Sequence, residues 1–477
     1  MTFNVQITHR CDDGARVQRD LVDVADLGKS VTGAEDIGLT LAEAKALLSE
    51  LQRLVVEKQI ERYVAEQRPC PRCGRCRRLK GHRRVQFRTV FGSIELRSPR
   101  LYRCRCEQSA ERTFSPLGEL LGDHVAPELA YLEAKWASRV SFAAATALMR
   151  EVLPVAPTTN PESVRQHTYR VARRMESELG EEQTMFVDGC QAEREALPPP
   201  DGPLTVGIDG GYVRGREGKS RTEGHFEVIA GKSIRFDGSA KCFAHVHKHD
   251  RKSKRRLFEL MTSQGFQMNQ QVTFLSDGGE TVGNLQRYLS PEAEHMLDGF
   301  HVTMRLTILR KTAKGLPEHL PAAAASGEIL RELERLKWLL WHGNLYRALP
   351  LIEQIVEELD SADENGSGGE ERTVRKLRRR LVELSAYLEA NLEFIPNYSD
   401  RYLHGERIST GFVESTVNQV VSKRFVKQQQ MRWTAEGAHL LPQVRTRELN
   451  GDLDETFRHW YPRFRTDDAT DQVAVVS

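Results

Sequence analysis

No apolar run in the 477 residues approaches the ~18 that a membrane-spanning helix needs, so no span is expected. The start, MTFNVQITHRCDDG, has neither the basic lead nor the apolar stretch of a secretory signal, which leaves a cytoplasmic protein as the expectation. No internal repeat stands out. Cysteine is sparse outside one stretch: of eight, five fall between Cys70 and Cys106, and Cys11, Cys190 and Cys242 are scattered. In a cytosolic chain such clustering argues against disulfides and for a metal site. Net charge is nearly absent too, at +2, but the balance is uneven. Residues 68 to 105 carry 13 Lys and Arg against the single acid Glu95, whereas the first 66 residues lean acidic. A basic block of that density is an electrostatic footprint for phosphates.

What is present is an ordinary globular composition, 39% hydrophobic and 29% charged, long enough for about three domains at roughly 150 residues each. Residues 40 to 66 predict an amphipathic helix, with Thr40 as N-cap and Glu43 completing a capping box. Cys70-x-x-Cys73 and Cys104-x-Cys106 frame RRVQFRTVFGSIELRSPRLYRC, whose alternation around Phe91-Gly92 predicts a β-hairpin. That layout is a zinc ribbon, bringing four thiolates to one tetrahedral Zn²⁺, with Cys76 and His82 as alternative ligands. From about 125 to 178 three helical patterns follow: PELAYLEAKWASR, SFAAATALMREVL with Ser141 as cap, and NPESVRQHTYRVARRMES with Asn160 as N-cap and Pro161 at the first helical position. They suit either a helix-turn-helix, whose last helix enters a DNA major groove, or a plain three-helix bundle. On the first reading Arg165, Arg170, Arg173 and Arg174 join Arg77, Arg78, Lys80, Arg83 and Arg84 of the ribbon as DNA contacts.

Residues 180 to 202, ending ALPPPDGP, predict a linker. Strand signals then accumulate in LTVGID, HFEVIAG, KCFAHVH, QVTFLSD and AEHMLDGFH. Helical stretches follow the third strand (RKSKRRLFELMTSQ) and the fourth (ETVGNLQRYLS). Hairpin-linked strands followed by helix crossovers predict a mixed sheet flanked by helices. From about 302 to 407 the chain turns helical around the polar loop SADENGSGGEE, and residues 409 to 426 start one more helix.

The chemistry is expected from acids. Asp209 and Asp277 are each placed at a strand end and followed by Gly-Gly, a pattern that by itself also reads as a turn. On a helix of period 3.6, Val413, Val417, Val420 and Val421 make a buried face, and Glu414 lies within about 20° of Val421. Two strand-end aspartates and one helix-borne glutamate suit two Mg²⁺ or Mn²⁺ ions. In two-metal sites such ions stand about 3.5–4 Å apart and stabilise the attacking and leaving oxygens of an in-line displacement at phosphorus.

The order Asp209, Asp277, helical insertion, Glu414 resembles the DDE transposases of bacterial insertion sequences, which have a ribonuclease H-like catalytic fold and are related to Mutator-like elements. DGFH at 298 to 301, STGFVESTVNQVVSKR around the glutamate and QQQMRW downstream carry the resemblance, over roughly residues 65 to 460. It implies metal-dependent cleavage of double-stranded DNA at element ends and strand transfer into target DNA, by a homo-oligomer on that DNA inside a bacterial cell. It makes Asp209, Asp277 and Glu414 the catalytic, magnesium-binding acids. Asp298 and His301 match the family's aspartate-or-cysteine…histidine pattern. His301 would cap a helix, or donate to a phosphate oxygen, or position Asp298.

The expected architecture is multidomain α+β. An N-terminal segment with its helix (1–66), a structural zinc ribbon (67–108) and a helical, helix-turn-helix-like DNA-binding region (120–180) precede an α/β ribonuclease H-like core (203–301). An all-helical insertion (302–407), the catalytic helix with the rest of the core (408–465) and a disordered tail (466–477) complete it. Two rivals stand beside this reading: a nuclease of the same fold that does not join ends, and a catalytically silent DNA-binding regulator.

Overall fold

The computed structural model describes residues 1–12, 17–181, 196–216, 224–278, 288–289, 293–316, 318, 320–321, 324–363, 371–427 and 431–464. The helix expected near 280–290 lies largely outside these residues, as do most of the 361–371 loop, residues 182–195 of the linker, the three glutamines of QQQMRW and the tail. The chain divides into one unit of residues 1–172 and 451–477 and a second of residues 173–450.

The first unit opens with a hairpin that the sequence reading did not foresee. Strand β1 (Thr2–Asp12) pairs antiparallel with β2 (Val17–Gly28), Thr2 opposite Gly28. Helix α1 (Leu41–Glu66) starts at a closed capping box: Thr40 Oγ1 accepts the Glu43 N–H at 3.2 Å, and the Glu43 carboxylate accepts the Thr40 N–H at 2.8 Å. Val56, Ile60, Tyr63 and Val64 of α1 pack on Phe87, Ile94 and Leu96 of a second hairpin. That hairpin is β3 (Leu79–Thr89) and β4 (Gly92–Tyr102), with Thr89 opposite Gly92, and a short β5 (Thr113–Phe114) lies on the far edge of β4.

Helices α2 (Pro116–Leu121), α3 (Pro127–Arg139), α4 (Phe142–Val152) and α5 (Pro161–Glu178) follow. Ser141 Oγ accepts the Ala144 N–H at 3.1 Å, and Asn160 Oδ1 accepts the Ser163 N–H at 3.0 Å. Buried Glu133 of α3 pairs with buried His167 of α5. A hydrogen-bonded polar pair in an apolar interior fixes register between two helices more than it adds stability.

The second unit is built on a five-stranded sheet. Strands β6 (Leu204–Arg214), β7 (His225–Arg235) and β8 (Ala240–Val246) run antiparallel in succession. Helix α6 (Ser253–Thr262) leads to β9 (Val272–Ser276), parallel to β6, and β10 (Glu294–Leu297) lies parallel to β9. The spatial order is β10-β9-β6-β7-β8. One face buries Val206, Ile208, Ile229 and Phe274 against Leu257 and Met261 of α6.

A helical block follows: α7 (Gly299–Ala313), α8 (Ser326–Trp341), α9 (Leu345–Asp363), α10 (Glu371–Ala390) and the short α11 (Tyr398–Leu403). Its core of Leu306, Leu309, Leu333, Leu336, Ile355 and Leu381 is continuous with Leu275 and Met296 of the sheet. Helix α12 (Gly411–Val417) runs on as a π-helix over Asn418–Val426, and α13 (Ala435–Asn450) covers β8. The expected regular helix through 426 is therefore corrected: its second half winds wider than 3.6 residues per turn, a form that is rare overall but frequent at functional sites. Helix α14 (Leu453–Trp460) belongs to the first unit, where Phe457 and Phe464 each set an edge against the Tyr131 ring of α3 at 5.3 Å. Among the described residues no helix is long and apolar enough to cross a membrane.

Candidate active site

Strand register places the acids. β6 and β9 pair from Leu204 opposite Val272 to Gly207 opposite Leu275, so two more residues bring Asp209 level with Asp277. β9 and β10 pair up to Ser276 opposite Leu297, so the next residue brings Asp277 level with Asp298. Asp209, Asp277 and Asp298 thus form one row across three parallel neighbours, where strands stand about 4.8 Å apart.

Asp209 is not at a strand end, as the sequence reading had it. β6 continues through Gly210 and Gly211 to Arg214, paired with β7 throughout. The glycines serve a different purpose. Side chains alternate along a strand, so Gly207, Asp209 and Gly211 share a face. A Cβ on Gly207 would stand 2.1 Å from Val413 Cγ2, and one on Gly211 would stand 3.1 Å from Val417 Cγ1. Bare backbone on either side of Asp209 lets α12 lie directly on the strand, with half-buried Glu414 one residue after Val413. At Gly278 the sequence reading of a turn holds, for φ is +93° and a Cβ would meet Asn391.

Burial lifts the Asp209 carboxyl above its ordinary pKa; Asp277 and Asp298 raise it further, while the Gly210 N–H at 2.7 Å and His301 oppose the rise. Exposed Asp277 follows β9, and its carbonyl accepts the Tyr387 hydroxyl at 3.0 Å. Asp298 is fully buried and caps α7. It accepts the Phe300 N–H at 2.8 Å, the Thr410 N–H at 3.1 Å, the Thr410 hydroxyl and His301 Nδ1 at 2.6 Å. Burial alone would raise its pKa, but these donors hold it below the ordinary value. His301 is raised, first by the bond to Asp298, against the effect of burial, and then by the charges of Asp298, Asp277 and Asp209. Asp298 therefore ties the start of α7 to Thr410, the residue from which the Glu414 helix begins.

Asp209, Asp277 and Glu414 do not gather their carboxylates within one ion's reach. Among the described residues, the groups whose ligand atoms all lie within 4.8 Å are Cys70–Cys73–Cys104–Cys106 and Glu176–Asp250–His439. The second group escaped the sequence reading, because no local pattern joins α5, the loop after β8 and α13. There Arg256 donates to both Glu176 oxygens, at 2.8 and 3.0 Å, and to Asp250 at 3.0 Å. His439 Nε2 lies 3.2 Å from Glu176.

In the ribbon the Sγ atoms of Cys70 and Cys106 stand 3.4 Å apart, and those of Cys73 and Cys104 3.5 Å, all as free thiols. Cys76 and His82 lie outside this quartet. Arg77, expected on DNA, is only 8% exposed; it pairs with Glu107 and donates to the Gln67 carbonyl at 2.9 Å, so it belongs to the ribbon interior. Arg78, Lys80, Arg83 and Arg84 are exposed, Arg84 with Glu95 at 3.0 Å. The α5 arginines each face an acid: Arg165 with Glu162 at 2.7 Å, Arg170 with Asp123 at 3.6 Å, Arg173 with Glu436 at 2.7 Å and Arg174 with Glu178 at 3.4 Å.

No family model and no curated protein matches the chain. Among solved structures, the chain is similar to the Drosophila P element transposase strand transfer complex at 10% identity and a TM-score of 0.28, over 68% of this chain and 92% of that one. A score that low supports no conclusion about shared fold or activity.

Proposed function

We propose that this chain is a DDE transposase that cleaves DNA at the ends of a mobile element and transfers the strands into target DNA, as a homo-oligomer on that DNA. The carrying observation is the row Asp209–Asp277–Asp298, with Asp209 inside β6 level with the residues that directly follow β9 and β10, and the Glu414 helix laid on the glycines that flank Asp209. Hairpin strands followed by parallel crossover strands also suit the ribonuclease H-like core that the resemblance implies.

The donor set fits a hard divalent cation: carboxylate oxygens only, and a half-buried Asp209 whose charge is penalised by burial and then by the neighbouring acids. Asp209, Asp277 and Glu414 would hold two Mg²⁺ or Mn²⁺ ions. Bound there, such a pair activates the attacking oxygen and neutralises charge on the leaving one. The chain's own part is positioning. Asp298 engages His301 Nδ1, which leaves Nε2–H free to donate to a phosphate oxygen beside the acids. With four donors on its carboxylate, Asp298 acts through His301 and Thr410 rather than on substrate. Zinc at the cysteine quartet is structural, since such ribbons fold around the ion.

A strand-transfer assay with candidate element ends and Mg²⁺ tests the reading. Joined products are expected. Cleavage without joining makes the protein a nuclease, and DNA binding without cleavage in Mg²⁺ or Mn²⁺ makes it a regulator. About one zinc per chain, lost in Cys73→Ser, is expected from elemental analysis; none in fresh wild-type protein overturns the ribbon.

A further inference from the structure

The cysteine end of the ribbon carries a feature that the acid row does not need. The turn CPRCGRCRR and the strand end RLYRCRC enclose a cavity of about 490 Å³. Five arginines line it, Arg75, Arg77, Arg78, Arg103 and Arg105, together with Tyr102 and no carboxylate. Two of the five form its floor. Arg77 and Arg103 each lay a guanidinium 4.7 Å from the Phe114 ring centre, and each has an acid, Glu107 and Glu119 respectively. The Nε–H of each is nevertheless buried without a hydrogen-bond partner. The other three, Arg75, Arg78 and Arg105, are exposed and form no ion pair among the described residues. Backbone bonds hold the main chain of two of them, for Cys70 N–H donates to the Arg75 carbonyl and Tyr102 N–H to the Arg78 carbonyl, both at 2.9 Å.

Like charges gathered in a concavity repel, and a fold gains nothing from collecting them unless an anion shares the site. We infer that this cavity seats the phosphodiester backbone of duplex DNA, with Arg75, Arg78 and Arg105 as phosphate contacts and the half-exposed Tyr102 ring against the sugar edge. The inference rests on the DNA reading above, and it adds Arg75 and Arg105 to Arg78 among the expected ribbon contacts, whereas the α5 arginines each face an acid. The competing role for the same arginines is internal: a zinc ion with four thiolates carries net charge −2, which nearby cations would balance.

The test uses the full-length, zinc-loaded protein and a duplex of about 30 base pairs, with affinity measured from 50 to 300 mM KCl. Each phosphate contact contributes about −0.9 to the slope of log K against log salt. The double variant Arg75→Gln/Arg105→Gln should therefore bind more weakly at every salt, with a slope shallower by about two, and keep its zinc. An unchanged slope and affinity overturns the assignment, and so does zinc loss in the variant, which would give the arginines to the metal. Wild-type protein that binds no duplex at any salt fails in a different way, since that removes the DNA reading itself.

Discussion

Asp250 and Asp209 are both carboxylates drawn out of solvent, with a second acid and a histidine nearby, yet their surroundings move them in opposite directions. Burial alone would raise the Asp250 pKa, but the Arg256 guanidinium outweighs it and holds the group below its ordinary value. Glu176, on the other side of the same arginine, is pushed down to about 2: burial works against the shift, and His439 and Arg256 overcome it. Around Asp209 burial wins, and Asp277 and Asp298 add to it. The fold thus gives one pair of acids a permanent guanidinium and the Asp209 row only the His301 imidazole, which does not offset burial at Asp209. A guanidinium completes a structural network; without one, Asp209 keeps a charge penalised by burial and by neighbouring acids, which a bound cation or a proton relieves. The Glu176 group meets a distance criterion for metal binding and the Asp209 row does not, but charge balance ranks them the other way.

The largest effect should come from breaking the unbalanced cluster. Asp209→Asn is expected to lower single-turnover cleavage of a pre-bound end by about four orders of magnitude, roughly 5.5 kcal/mol at ~1.36 kcal/mol per tenfold. Its melting temperature should hold or rise, since a buried charge among like charges is removed. A variant that cleaves within about tenfold of wild type returns Asp209 to a passive strand position. Next in size is Arg256→Met, which strands two acids and should cost about 3–5 kcal/mol in denaturant unfolding, the range for breaking a buried ion pair from one side. A loss under about 1 kcal/mol would mean that the network is solvated and the comparison fails.

Acid titration gives a smaller and slower change. Glu176 has a folded pKa below its unfolded one, so its stabilisation is present above the unfolded value of 4.5 and is lost as pH falls toward about 2. Asp209 has the reverse sign: raised in the fold, it destabilises once ionised, and protonation removes that penalty. Unfolding followed from pH 6 to 2.5 should therefore show Glu176→Gln losing less stability than wild type, and Asp209→Asn losing slightly more. Parallel curves for all three proteins would contradict both signs.

These two clusters also mark what a single sequence discloses. Asp209, Asp277 and Asp298 were visible because apolar strand runs end in or contain an acid, and Glu414 because valines fix a helix face. The capping box at Thr40 and the hairpin around Phe91–Gly92 were visible for the same reason: each is a rule among residues a few positions apart. Gly210-Gly211 was read as closing the strand at Asp209, because the need for bare backbone comes from Val417 and Val421, some 200 positions away, pressing on Gly211. The Arg256 network joins residues 176, 250, 256 and 439 and leaves no local trace. Burial of Arg77 was likewise hidden, since the partner that neutralises it, Glu107, sits beyond the second cysteine pair. The β1–β2 hairpin did have a local signal, the alternation of VQITHR and DLVDVAD, and was passed over.

The smallest expected effect separates the two clusters most cleanly. A ligand that binds only the folded chain stabilises it by RT ln(1 + [L]/Kd), about 1.4 kcal/mol at ten times Kd. For a unit of this size that is a rise of roughly 3–6 °C in melting temperature. If the cation that relieves the Asp209 row is Mg²⁺, wild-type protein should gain that rise in millimolar Mg²⁺ without any DNA present. Glu176→Gln should gain it equally, because Arg256 already fills the charge demand of its cluster, and Asp209→Asn should gain almost none. Ca²⁺ should stabilise in the same way, since it takes the same oxygen ligands. The ordering of the variants decides the matter rather than the size of the shift. A rise that survives in Asp209→Asn but disappears in Glu176→Gln would place the ion beside Arg256, and charge balance would no longer distinguish the functional acids from the structural ones.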